Sequence, residues 1–391
     1  MRIAIDASRA NTANRTGVEE YVFQICKYAN RPAGRHGMQI PPLAGIPSSG
    51  GIGKYPDAEL VLYTREPLIP ELKAVIGDHV TVKVLKWLPK RLWTQMRLSW
   101  EMLVHPPNIL FVPGHVFPII HPKKTVMTVH DVAAEVFPES YNFFERLYSV
   151  WAARVAVKRL WKVIVPSEFT AIQIGKYIHK QNVHVVPLAY DEKYRVIDDS
   201  IAINNVLKKY NIKKPFLLSV GRLETKKNTV RIIQAFNALK KKQFNNSTIQ
   251  QLVLVGGRGH GYEEVIAEIE QSPYKDNIVL PGYVEGEDLP YIMNAAEVFV
   301  FPSLYEGFGI PILEAFACGT PVVTSNTTSC REVAADAAVL VDPLSVESIS
   351  VGIEEAVSGE HITAGLRRAE GYSWESTLHD ILKILLETKD H

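Results

Sequence analysis

The stretch from 303 to 323, SLYEGFGIPILEAFACGTPVV, sets two glutamates, Glu306 and Glu314, eight positions apart around two glycines and a proline. The preceding AEVFVFP reads as a buried strand, SLYEGFG as the loop at its carboxyl end, and IPILEAFAC as a helix. Pro311 falls in its first turn, where a missing N–H does no harm, and Gly319 closes it. Glycines in such a loop let backbone N–H groups approach a ligand, and the helix start carries partial positive charge, so the place suits an anion such as phosphate. Glu314, about one turn in, would then accept hydrogen bonds from neutral hydroxyls beside the anion, as carboxylates do with a ribose. Glu306, at the strand end, faces the ligand space. Taken alone the pair weighs little, because 42 acids in 391 residues give about four or five such spacings by chance. The same residues also fit a plain helix start with a capping acid and a solvated loop acid.

Three other places could share that chemistry. VGRLETKKN follows another strand and puts Arg222 and Lys227 at its carboxyl end, where two cations suit a diphosphate; a solvated basic loop fits as well. TVHD places His130 and Asp131 at a strand end in the first half of the chain, where a lone histidine is either structural or part of a site. RTGVEE puts Gly17 at the start of a helix, a second anion-friendly N-terminus or simply an N-cap glycine. No D-x-D occurs, so a Mg²⁺ or Mn²⁺ site built on paired aspartates is not expected.

The elements that must position these residues alternate between strand and helix. RIAIDA, ELVLYT, VTVKVL, NILFVP, KTVMTVHD, KVIVPS and NVHVVPL are short apolar runs with helical patterns among them, such as VEEYVFQICKYA and 142–160. Residues 31–58 interrupt the series with too much Gly and Pro for an element and read as a long, mobile loop. After Leu188 the charged stretch AYDEKYRVIDDSIAINNVLKKYNIKKP suits a linker. The series then restarts with FLLSVG, QLVLVGG, NIVLPGYV, VFVFPS, PVVTSN and AAVLVDP. An α/β chain of two doubly wound parallel sheets is expected, with ligands at the carboxyl ends of the strands in a cleft between the halves.

Composition agrees and excludes other classes. A chain of 391 residues and 43.8 kDa exceeds one usual core. Lys+Arg 43 against Asp+Glu 42 lacks the basic excess of a nucleic-acid binder. Cys26, Cys318 and Cys330, odd in number and without C-x-x-C, suit a reducing compartment, hence a cytoplasmic site. No apolar run approaches the ~20 residues of a membrane span. Within KWLPKRLWTQMRLSWEMLVH (86–105), Leu92, Trp93, Met96, Trp100 and Leu103 share one helical face beside Lys90 and Arg97. That face either lies on an anionic bilayer or packs on the first sheet.

RTGVEEY, TVHD, VPSEFT, VGRLETKKN, LVGG, LPGYV, EGFGIPILEAFACGTPVV and SCREVAADAAVLVDP, in this order, resemble the retaining GT-B glycosyltransferases of family four over nearly the whole chain. The TGVEEY and TVHD variants look most like its mannosyl- and rhamnosyltransferase branch of cell-envelope polysaccharide synthesis. The resemblance implies an acceptor-side Rossmann-like domain at 1–190, a nucleotide-sugar domain at 191–373 and a terminal helix, 374–391, returning to the first. It implies that Arg222 and Lys227 bind the donor diphosphate and Glu314 the ribose. Glu306 and the backbone of Gly307, Phe308 and Gly309 meet the sugar, Gly17 contacts phosphate, and His130 lies near the sugar, with Asp131 a candidate for orienting the acceptor. The expected reaction is metal- and cofactor-free hexosyl transfer, best matched by GDP-mannose as donor, to a glycan or lipid-linked acceptor, with another donor such as a UDP-hexose, or mere nucleotide-sugar binding, as alternatives. The loop at 31–58 and the single glycine at Gly17, where many members have two, depart from the family pattern.

Overall fold

The computed structural model describes residues 1–13, 15, 17–29, 59–88, 92–114, 116–141, 143–176, 182–242 and 249–387. The expected loop at 31–58, Lys90 and the end of the expected helix 374–391 fall outside them. The chain divides into two compact units, one of Met1–Glu135, Phe143–Leu188 and Ser373 onward, the other of Val136–Asn142 and Ala189–Tyr372.

The first unit carries a seven-stranded, wholly parallel sheet: β1 (Arg2–Asp6), β2 (Glu59–Thr64), β3 (Val80–Val84), β4 (Ile109–Val112), β5 (Thr125–Thr128), β6 (Lys162–Val165) and β7 (Val183–Val185) in the order β3-β2-β1-β4-β5-β6-β7. Most of these strands are continuous apolar runs because a parallel sheet is covered on both faces; β4 and β5 are buried at every residue. The helix Gly17–Ala29 packs Tyr21, Val22, Ile25 and Cys26 inward. The terminal helix Trp374–Leu386 belongs to this unit: Thr377 donates to the Pro187 carbonyl at 2.8 Å, Lys162 Nζ donates to the Ile384 carbonyl at 3.0 Å, and Trp374 meets the Tyr21 ring at 5.9 Å.

The second unit repeats the plan with six parallel strands: β8 (Phe216–Val220), β9 (Gln251–Val255), β10 (Ile278–Gly282), β11 (Val298–Phe301), β12 (Val322–Ser325) and β13 (Val339–Val341), ordered β10-β9-β8-β11-β12-β13. The helix Thr229–Lys242 buries Ile232, Ile233, Phe236 and Leu239 on this sheet and leaves its lysine tail outside.

Two expectations need correction. The stretch read as a linker contains a helix, Ser200–Lys209, capped by Asp199, which accepts from the N–H groups of Ile201 and Ala202. Ile203 and Leu207 are its buried residues, and Ile203, Val206 and Leu207 give a single i, i+3, i+4 repeat, short enough to be hidden between the charged flanks. In the 86–105 segment the supposed single face splits. Trp93–Leu98 is a π-helix turning into the α-helix Ser99–Val104, and the wider turn sends Trp93, Leu98 and Met102 inward while Leu92, Met96, Trp100 and Leu103 stay outside. Trp93 is 2% exposed, its indole N–H held by the Leu85 carbonyl at 2.7 Å; Trp100 is 61% exposed.

Candidate functional site

In each sheet the strand order reverses beside the first strand of its series, between β1 and β4 and between β8 and β11. Connections there leave in opposite directions, opening a crevice at the carboxyl ends of the strands where ligands of doubly wound sheets bind. In the second unit this point gathers two of the sequence motifs. The loop after β8 brings Lys227 and the loop after β11 brings Glu306, and Lys227 Nζ lies 2.5 Å from Glu306 Oε1. Both side chains are mostly buried, and the ammonium also sits 4.9 Å from the centroid of the Phe301 ring.

The backbone is built to hold this pair. Gly221, with φ +149°, leaves room for the Lys227 stem, whose Cε lies 3.4 Å from where a Cβ would stand. Leu304 N–H donates to the Lys226 carbonyl at 2.9 Å, tying the two loops together. Ser329 Oγ donates to the Glu306 carbonyl at 2.8 Å, and Ser325 Oγ to that of Ser303. The main clamp is Asn228, which sequence reasoning quoted but gave no role. It is buried in the left-handed region at φ +62°, and its Nδ2 donates to the carbonyls of Pro302 at 2.9 Å and Pro343 at 2.6 Å. A non-glycine residue held there by two buried hydrogen bonds fixes the loop that carries Lys227. Asparagine is a residue type that tolerates this conformation.

Gly307, Phe308 and Gly309 are buried, and the Phe308 ring is taken up in packing 6.0 Å from that of Tyr372. Gly309 caps the helix Ile310–Ala317 at φ +106°, and Pro311 stands in the first turn. Glu314, one turn on, hydrogen-bonds Tyr194; burial and the Glu314 carboxylate hold that phenol well above its ordinary pKa. Tyr194 came from the stretch read as a linker. Arg222 shares the β8 loop but is not drawn into the pair. Its side chain is 65% exposed, its guanidinium donates to the Arg258 carbonyl at 3.4 Å, and its Nε lies 3.7 Å from Glu224.

The remaining candidates belong to the first unit. Gly17 opens its helix, is exposed, and a Cβ there would meet nothing within 4 Å, so packing does not demand the glycine. His130 is buried, with Nε2 3.0 Å from the Pro113 carbonyl, which assigns the ring proton to Nε2, and its ring meets Tyr21 edge-on at 4.7 Å. Asp131 Oδ1 accepts from Ala133 N–H at 3.0 Å at the start of the short helix Ala133–Val136.

The β1/β4 switch point carries a cavity of about 930 Å³ that the sequence did not reveal. Asp6, Arg9, Arg65, Lys86, Trp87 and Leu88 are among its walls. Asp6 is buried and its Oδ1 accepts from Ser8 N–H at 3.1 Å; burial raises its pKa, against the pull of Arg9 and Arg65. Arg9 pairs with Glu19 at 3.1 Å. Among the described residues no helix is long and apolar enough to cross a membrane, and no three His, Cys, Asp or Glu gather as a metal site.

Comparison with known proteins agrees with this geometry. O-antigen chain mannosyltransferase B of Escherichia coli is 31% identical over 325 residues, 81% of this chain and 80% of that protein. The serotype-specific mannosyltransferase WbdA of Escherichia coli is 28% identical over 272 residues, 66% of this chain but only 33% of that longer protein. The solved structure of WaaG, a glycosyltransferase involved in lipopolysaccharide biosynthesis, matches with a TM-score of 0.70 at 16% identity, over 99% of this chain and 100% of that one, which establishes the GT-B fold. Residues 203–370, nearly all of the second unit, match the model of the family described as glycosyl transferases group 1. With the site where that family model falls and a relative this similar over four-fifths of both chains, the protein belongs to the group 1 glycosyl transferases.

Proposed function

We propose that the chain transfers a mannosyl group from GDP-mannose to a glycan or lipid-linked acceptor in cell-envelope polysaccharide synthesis, with retention of configuration and without a metal or other cofactor, on the cytoplasmic side of the membrane. The observation that carries this reading is the Lys227–Glu306 pair at the β8/β11 switch point. Negative charge grows on the leaving diphosphate while the sugar becomes oxocarbenium-like, so the reaction needs fixed positive groups at the leaving group. A lysine ammonium has three N–H donors; with one given to Glu306, two remain for phosphate oxygens. Exposed Arg222, reaching from the same loop, adds a second cation, and the Gly309 end of the following helix adds backbone N–H groups. Glu306 would meet the transferred sugar and Glu314 the ribose, whose hydroxyls resemble the Tyr194 hydroxyl it already holds. The names of the relatives support mannosyl as the group transferred. Retention would follow from front-face attack, with the acceptor entering on the leaving-group side and no carboxylate assigned as nucleophile.

The cavity of the first unit supports the acceptor side. Asp6 can accept, and Arg9 and Arg65 donate, hydrogen bonds to sugar hydroxyls, while Trp87 offers an apolar wall. His130, Asp131 and Gly17 keep the roles the family pattern suggests as part of this proposal.

Incubation of the purified protein with GDP-mannose and an oligosaccharide acceptor tests the reading. Transfer should survive EDTA, the product should keep the α-configuration by NMR, and Lys227→Ala should lower the rate by about 10²- to 10³-fold, the scale of losing one charge-stabilising donor. A rate abolished by EDTA and restored by Mn²⁺, or transfer from a UDP-hexose in preference, would overturn it.

A further inference from the structure

Among the described residues, the outward half of the 92–104 segment stays exposed. Leu92, Met96, Trp100 and Leu103 are each more than half exposed across the π- and α-helical turns, and Leu88, 91% exposed, precedes them. This outward side is not the amphipathic face of a core helix, since the core is served by Trp93, Leu98 and Met102 on the other side. The loop bearing exposed Ile119 and Ile120 adjoins it, with Ile120 N–H 3.3 Å from Ser99 Oγ in the same segment. A contiguous apolar strip of this kind on a soluble surface marks a contact site.

Charge says what the contact is. The whole chain is nearly neutral, yet among the described residues from 86 to 124 Lys86, Arg97, Lys123 and Lys124 face one acid, Glu101. Glu101 is buried on the inward side and taken up by Lys83, Arg97 and His105 at 3.3–3.4 Å. Leucine, isoleucine and tryptophan with a local basic excess is the composition of a segment that lies in the headgroup layer of an anionic bilayer, apolar side chains in the acyl boundary and ammonium groups among the phosphates. A second copy of the chain would meet the same positive charge.

We propose that this face, with Trp100 and Leu103 at its centre, docks the first unit on an anionic membrane surface. Leu88 and Leu92 also line the cavity at the β1/β4 switch point, so docking would set the mouth of that cavity at the lipid boundary. This last step rests on reading the cavity as the acceptor site; the docking itself is independent of it.

Sedimentation with extruded vesicles tests the docking without donor or acceptor. The protein should pellet with vesicles of phosphatidylethanolamine and about 30% phosphatidylglycerol, weakly or not at all with pure phosphatidylcholine, and less as salt rises from about 0.1 to 0.5 M. Trp100→Glu/Leu103→Glu, two exposed positions, should lower the bound fraction at least about tenfold while the thermal midpoint and transfer to a water-soluble oligosaccharide stay near wild type. Protein that stays in the supernatant with anionic vesicles, a double variant that pellets like wild type, or equal binding to neutral vesicles would overturn the proposal. So would a wild-type dimer that the double variant turns into a monomer, which would give the face to a second copy. Failure of transfer with vesicle binding intact would instead count against the enzymatic reading alone.

Discussion

Two acids eight residues apart can have different work because their surroundings differ. Glu306 is bound to a cation at 2.5 Å in a loop whose carbonyls are pinned by Ser325 and Ser329, so its position is fixed; on the proposed reading it meets the transferred sugar. Glu314 lies on a helix and already holds a neutral hydroxyl, that of Tyr194. Glu314→Ala should therefore weaken binding of free GDP by about 1.5 to 3 kcal/mol, the worth of hydrogen bonds to a charged group, and raise KM. Glu306→Ala should leave GDP affinity nearly unchanged and lower kcat, because its partner in the reaction is the sugar that GDP lacks. Calorimetric titration of both variants with GDP separates the roles, and equal losses or the reverse order would exchange the assignments. The spacing alone could not reveal this difference: Glu306 and Glu314 were legible as residues at a strand end and a helix start, but Tyr194 and Asn228, which hold or clamp the site, leave no pattern. Each is a single buried polar residue in a charged stretch, and hydrophobic periodicity does not register such residues.

At the scale of elements the sequence was read well where burial is two-sided and poorly where geometry departs from a standard period. Each of the thirteen strands among the described residues falls within a run legible as a strand, most plainly in the central strands, which a parallel sheet covered by helices buries on both faces; the edge strands β3, β7 and β10 are only partly buried. The π-turn at Trp93–Leu98 broke the reading of its face, because a helical wheel assumes 3.6 residues per turn throughout. The LVGG run shows how finely an element junction is set. Gly256, at φ +148°, ends β9 where a Cβ would stand 1.9 Å from the Gly221 carbonyl oxygen of the adjacent β8 loop, whereas a Cβ on Gly257 would meet nothing within 4 Å. Gly256→Ala must push the end of β9 away from the β8 loop that carries both Arg222 and Lys227, so it should cost about 3 kcal/mol or more in urea unfolding. Gly257→Ala should change stability by less than about 1 kcal/mol. Two variants of equal stability would mean that the β8 and β9 ends are not in this contact.

Two units with separate cores suggest a test at the scale of the whole molecule, using the cysteines as reporters. Cys26 lies in the first unit and Cys318 and Cys330 in the second; all three are free and buried. Burial, with the Asp6 charge, pushes the Cys26 thiol up to about 12, and burial, with the Glu306 charge, does the same for Cys330; Cys318 is raised by burial and by Glu314. A raised thiol pKa favours the protonated folded form, so its contribution is complete below the ordinary value of 9.0 and is lost as pH climbs from 9 towards 12. At pH 8 the folded thiols are thus protonated and shielded, and an alkylating reagent reaches them only when a unit opens. If GDP binds the second unit, a hundredfold excess over its Kd stabilises that unit by about 2.7 kcal/mol and should slow labelling of Cys318 and Cys330 by about a hundredfold. Cys26 should label at its original rate. Peptide mass spectrometry after timed iodoacetamide treatment reads all three sites in one sample. Protection of Cys26 alone would place the nucleotide in the first unit and overturn the assignment of the β8/β11 site, whereas equal protection of all three would mean that the chain opens as one cooperative whole.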